Sequence, residues 1–240
     1  MTDKNTFTKS QAGFEQTWRW FGPADPITLM EIKQTGVNGI VSALHQIPVG
    51  EIWSVDEIMK LKKMIEDECF NWSVVESLPV HENIKKRKDN YKLLIENYKK
   101  SIKNLASCGI DTICYNFMPV LDWSRTNLNV VFKDESITTK FESKVFAVFD
   151  LFILNRSGAE ADYTNEQIQA AEKYFIGMNE EQKVKLQQTI LLGLPGSLDA
   201  YTIEDFKSTL LEYAQIGEAK LRQNLYEFVE EIIPVAEEMG

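Results

Sequence analysis

The feature that most constrains this chain is a rhythm. Up to residue 117, short apolar stretches rich in β-branched residues alternate with segments of helical period. Residues 16–21 (QTWRWF), 39–44 (GIVSAL), 71–77 (NWSVVES) and 111–117 (DTICYNF) read as strands. The second is mostly apolar, as suits a strand buried on both faces. Helices are predicted between them. Pro26 opens a short one reaching about Gln34, where the missing N–H would be unpaired anyway. Ser54, with Glu57 three residues on, reads as a capping box for a helix to about Glu68, with Ile58, Leu61, Met64 and Ile65 on one stripe. A longer helix, about 90–107, carries Tyr91, Leu94, Ile95, Tyr98, Ile102 and Leu105. Gly109 stands where a C-terminal glycine belongs. Strand–helix–strand repeats of this length give parallel strands joined by right-handed crossovers. No glycine-rich phosphate loop follows the first strand, which speaks against a dinucleotide-binding sheet. The predicted fold class is α/β: a (β/α)8 TIM barrel with only its first half present.

Beyond residue 117 the rhythm breaks. Residues 129–142 read as a hairpin turning at 133–136. Helices follow at 144–154, from Thr164 through 174, at 180–192 with Gly193 and Pro195 ending it, at 202–214, and at 218–238, where Pro234 suggests a kink. The expected organisation is a mobile tail (1–13), four β/α units (14–126), an inserted hairpin and helices (127–216), and a helix returning to the barrel (217–240). A barrel needs eight strands and typically about 250 residues. Four strands leave sheet edges unpaired. The expectation is therefore a truncated sequence, or a chain that pairs with a missing C-terminal half or with another copy.

Charge and cysteine usage exclude some partners. Lys and Arg number 26 against 36 Asp and Glu, a net charge of -10, so no nucleic-acid partner is expected. The local basic run Lys85–Lys88 reads as a solvated loop. Cys69, Cys108 and Cys114 are odd in number and lack metal-ligand spacing, as expected of free thiols in a reducing compartment. The polar N-terminus has no signal-peptide core, and no apolar run is long enough to span a membrane. A cytoplasmic protein with no membrane contact is expected.

In parallel barrels, chemistry gathers at the carboxyl ends of strands. His45 follows the second strand. It is either a hydrogen-bonding, proton-transferring or metal-binding group, or a satisfied loop histidine. Glu76 ends the third strand, where burial would suit proton transfer or sugar binding; a structural salt bridge is the alternative. His81, further along that loop, is a weaker candidate. Tyr115 and Asn116 end the fourth strand and offer a hydroxyl and an amide. Asp122, Trp123 and Arg125 begin the inserted region, where an Arg beside a Trp could clamp a carboxylate or simply pack a loop. Trp18, Arg19 and Trp20 alternate across the first strand; one face could line the site, and core packing is the simpler reading of the two tryptophans. Cys114 reads as core, pointing away from Tyr115. Two histidines without an H-x-x-x-H or C-x-x-C spacing make no metal site. There is no G-x-S-x-G and no Walker motif.

At these same loops the sequence resembles the mannonate dehydratase family, related to the xylose isomerase-like barrels. The resemblance rests on FEQTWRWFGPADP (14–26), GIVSALHQIPVGEIW (39–53), WSVVESLPVHE (72–82) and TICYNFMPVLDWSRT (112–126). GAEADYT (158–164), GLPG (193–196) and IIPVAEEMG (232–240) add to it. It implies a hydro-lyase that removes water from D-mannonate to give 2-dehydro-3-deoxy-D-gluconate in hexuronate (glucuronate) catabolism. It also implies Mn2+ or Fe2+, held by a His/Cys/His/Asp set in the family's C-terminal half, so the ligands are absent from this chain. His45, Glu76, Tyr115, Asn116, Trp123 and Arg125 are expected to bind the sugar acid. Gln46 stands where family members often have a second His. The other readings are an inactive remnant or split subunit needing a partner, or another sugar isomerase or epimerase of this barrel type.

Overall fold

In the computed structural model, residues 13–121, 123–192 and 202–240 are described. Most of the expected tail, Asp122, the GLPG stretch and the helix stop at Gly193 and Pro195 lie outside the described residues. The chain divides into two compact units: Met1–Phe117 with Glu218–Gly240, and Met118–Gly217.

The first unit is built on a parallel sheet in the order β1 (Thr17–Arg19), β2 (Gly39–Ser42), β3 (Asn71–Val75). Residues 111–117 run parallel beside β3, but form only a single bridge, Val75 to Ile113, in place of a full strand. That segment is held by Val75 N–H to the Thr112 carbonyl at 2.9 Å and Cys114 N–H to the Val75 carbonyl at 2.8 Å. The carbonyl of Cys114 also accepts from Leu78 N–H.

The helices are α1 (Leu29–Lys33), α2 (Val55–Asp67), α3 (Glu82–Lys86), α4 (Tyr91–Ser107) and the returning α9 (Glu218–Met239). Thr28, not Pro26, caps α1, and Thr28 and Glu31 complete both arms of a capping box. At α2 one arm forms: Ser54 Oγ accepts from Glu57 N–H. The Glu57 carboxylate instead accepts from Gln46 Nε2 at 3.3 Å.

The loop expected at 78–88 contains α3. Its cap is His81, whose Nδ1 accepts from Asn83 N–H at 3.0 Å. The basic run is likewise not a solvated loop. Lys85 is buried and pairs with Glu82. Arg87 bonds Glu231 at 2.9 Å, lies 3.3 Å from Glu227, and covers the Tyr91 ring. Arg87 thus forms part of the seat of acidic α9, which sequence spacing could not reveal because its partners lie some 140 positions away. Helix α9 runs through Pro234 without ending.

The core fills the space between helices and one face of the sheet. Trp20, Ile40, Trp72 and Val75 meet Ile58, Ile65, Ile95 and Leu105 there, and Phe228 of α9 is fully buried among them. Tyr98, Tyr115 and Phe117 surround Phe228 with ring centroids 5.2–5.9 Å away. The opposite face of the sheet is polar and only partly covered: Thr17, Arg19, Val41 and Ser73 line it. Ser73 Oγ donates to Glu15 there at 2.8 Å. Gly39 has no room for a side chain, since a Cβ would stand 2.7 Å from the Glu15 carboxylate and 2.8 Å from the Thr17 methyl.

The second unit holds a hairpin, β4 (Asn127–Val131) and β5 (Ile137–Lys140), and helices α5 (Ser143–Val148), α6 (Asn165–Ile176), α7 (Glu180–Leu191) and α8 (Ile203–Ile216). Helix α5 passes straight into a π-helical turn, Phe149–Ile153. That turn carries buried Asp150. Arg156 grips its carboxylate bidentately at 2.8 and 2.7 Å, and Tyr163 OH donates to it at 2.9 Å. The Tyr163 phenol is pushed up, by burial first and then by that hydrogen bond. Thr164 and Gln167 cap α6 reciprocally, and Asn179 and Gln182 do the same for α7. Phe149, Phe206, Ile190 and Ala171 form this unit's core.

Candidate functional site

Alternation along β1 puts Trp20 into the helix-side core, and Arg19 and Phe21 on the open face. The guanidinium of Arg19 lies over the Phe21 ring, 5.0 Å from its centroid. From the end of β3, Glu76 meets Arg19 with Nη1 to Oε1 at 2.7 Å. Glu76 is partly buried, as expected, with its side chain 43% exposed, and an ion pair is what holds it. The Glu76–Ser77 peptide is cis.

His45 approaches from the end of β2, its ring 5.9 Å from that of Phe21. Its Nε2 is buried and has no hydrogen-bond partner among the described residues, and the same holds for Nε of Arg19. Burial, and then the positive charge of Arg19, lower the imidazole below its ordinary range; Asp25 opposes this. The Asp25 carboxylate is fixed by Phe21 N–H and Ile27 N–H at 2.8 and 2.9 Å. The ends of three neighbouring strands thus bring together a cation, a carboxylate and an uncharged imidazole.

Asn116 joins the rim of this group, its Nδ2 donating to Ser77 Oγ at 3.1 Å. Tyr115 is directed elsewhere: its ring meets Phe228 edge-on, although 42% of the residue stays exposed. Cys114 is not core. It is partly exposed, and its thiol is raised by burial first and then by the neighbouring Glu76 charge. Trp123 and Arg125 belong to the second unit. Trp123 is exposed, whereas Arg125 is buried and donates from Nη2 to the Leu192 carbonyl at 3.2 Å. Desolvation lowers the Arg125 guanidinium. His81 is occupied as the α3 cap.

Sequence reasoning offered one face of the first strand as a site lining but did not single out Arg19. Its signal was present: a lone cation two positions before Phe21, near a strand end. Among the described residues, no group of three or more His, Cys, Asp or Glu side chains lies together in a way that could hold a metal ion. These residues therefore do not fit the divalent metal that the resemblance implies. No helix among them is long and apolar enough to cross a membrane.

Fold and site together describe a parallel α/β protein that gathers polar side chains at the carboxyl ends of its strands, where such proteins bind small molecules. The chain belongs to the D-mannonate dehydratase (UxuA) family, whose model it matches over residues 14–240. It is 53% identical to the mannonate dehydratase of Marinomonas sp. (strain MWYL1) over 226 residues, 94% of this chain. It is 49% identical to that of Chromohalobacter salexigens over the same length. The crystal structure of mannonate dehydratase from Streptococcus suis serotype 2 matches with a TM-score of 0.67 at 35% identity, over 94% of this chain. The chain spans 58% of the length of the two relatives and 51% of the Streptococcus suis chain.

Proposed function

We propose that the protein to which this chain belongs removes water from D-mannonate to give 2-dehydro-3-deoxy-D-gluconate, within cytoplasmic hexuronate breakdown. The observation that carries this reading is the family match across the described strand ends, at about half identity to two mannonate dehydratases. The parallel strands β1, β2 and β3 are read as part of a (β/α)8 barrel, and residues 127–216 as an insertion into it. His45, Glu76 and Asn116, which the first unit brings to neighbouring strand ends, are read as the substrate-facing set.

The polar groups suit a polyhydroxy acid. Glu76 can accept hydrogen bonds from two hydroxyls, one on each oxygen. His45, uncharged near neutral pH, offers one ring nitrogen as donor or acceptor. The Asn116 amide can use its remaining donor and its carbonyl oxygen. Mn2+ or Fe2+ is part of the proposal for the whole enzyme. Held by residues outside this chain, such an ion would supply Lewis-acid stabilisation of negative charge building on the substrate.

The test is to supply D-mannonate and Mn2+ to the protein expressed from its gene and follow keto-acid formation. Dehydration with D-mannonate, and none with its C2 epimer, supports the reading; absence of keto acid sinks it. In the active protein, Glu76→Gln is expected to weaken D-mannonate turnover or affinity at least about tenfold, the loss typical of a charged hydrogen-bond partner. Its melting temperature should stay close to the parent's, because Glu76 is half-exposed.

A further inference from the structure

We propose that Arg19 is a positioning residue of the sugar-acid site: it fixes the Glu76 carboxylate by an ion pair and the His45 ring through their shared neighbour Phe21. The proposal rests on the reading of these strand ends as a sugar-acid pocket. Three observations carry it. Arg19 Nη1 lies 2.7 Å from Glu76 Oε1, so the carboxylate of β3 is tied to β1 across the intervening strand. Phe21, two residues along the same face, touches both the Arg19 guanidinium at 5.0 Å and the His45 ring at 5.9 Å. Arg19 Nε and His45 Nε2 are both buried without partners among the described residues, so the packing of this cluster, not further hydrogen bonds, sets where the two groups stand.

Lysine would not replace this residue. A guanidinium is planar and can lie flat on Phe21 while its edge faces a carboxylate; an ammonium does one or the other. The charges acting on His45 come from Arg19 on β1 and Asp25 in the following loop, with Glu76 of β3 behind Arg19. Removing the Arg19 charge therefore lets the imidazole take up a proton more readily.

This chain carries two histidines, so substituting each in turn assigns their imidazole NMR signals in the whole protein, and the helix-capping His81 serves as internal reference. Titration of the parent, Arg19→Met and Arg19→Lys proteins is the experiment, first without ligand and then with D-mannonate. In Arg19→Met the His45 midpoint is expected to rise while that of His81 stays. Arg19→Lys should keep the low midpoint but change the His45 ring shift, as the flat contact on Phe21 is lost. D-mannonate should perturb His45 in the parent, with affinity about tenfold weaker in both variants. Unchanged His45 midpoint, ring shift and affinity in the variants would overturn the assignment. If Arg19→Met does not fold, the ring shift and affinity of Arg19→Lys decide. If the parent itself ignores D-mannonate, the sugar-acid reading fails, while the ligand-free titration still tests what Arg19 holds.

Discussion

The two histidines show how differently one residue type is used a few turns apart. His81 turns its Nδ1 to a backbone N–H and closes a short helix; His45 is packed against Phe21 with Nε2 unpaired among the described residues. Both imidazoles are lowered, chiefly by burial. The unfolded chain then takes up these protons near the ordinary value of about 6.5, and the folded chain only at lower pH. Their contribution to stability is complete above about pH 7 and declines as pH falls through the folded values. The melting temperature is expected to drop between pH 7 and pH 5. His81→Asn should remove part of that slope, since asparagine caps helices well and does not titrate. An unchanged slope in this variant and in His45→Gln would contradict the assignment. The strand-end rule sufficed to select His45 and Glu76 from sequence. It could not select Arg19, because alternation says that Arg19 and Trp20 face opposite sides without saying which side is wet. Nor could it place Cys114, whose segment pairs with β3 at a single bridge and so lacks a full strand's regular alternation.

Among the elements, those written in local code were legible. The hairpin, the long α4 and the capped α2, α6 and α8 follow from turn residues, apolar period and capping side chains within a few positions. Helix α3 escaped notice because histidine is not a usual cap, and the role of Arg87 because its acidic partners sit on α9. Phe228→Ala on α9 would leave a void between Tyr98, Tyr115 and Phe117, and is expected to cost about 3–5 kcal/mol in denaturant unfolding. The π-helical turn makes a parallel case. Asp150→Ala would open a hole in the core and remove the carboxylate that Arg156 and Tyr163 share, while Asp162 still holds Arg156, at a cost of about 1.5–3 kcal/mol. A loss below 1 kcal/mol would mean that water replaces the carboxylate readily.

For the whole molecule, sequence order and spatial order part company. The first unit is assembled from two separated stretches, and the second is one continuous stretch between them. The broken rhythm after residue 117 marks the same place in the sequence where the two compact units part. The closed barrel was not, since β1, β2 and β3 with one bridged segment make an open sheet. Calorimetric titration of the chain with Mn2+ is expected to show no tight stoichiometric site, given that the described residues converge on no donor set. Tight one-to-one uptake would mean that these carboxylates and thiols rearrange around the ion.

Phe228 gives the last consequence, and it concerns timing. On the ribosome, Tyr98, Tyr115 and Phe117 emerge about a hundred residues before the ring they enclose. At common synthesis rates that is an interval of roughly 5–20 s. Throughout it, the nascent first unit waits with an aromatic socket open to solvent, while the intervening stretch can complete its own core. A chaperone that covers such sockets would be engaged early and released when α9 arrives.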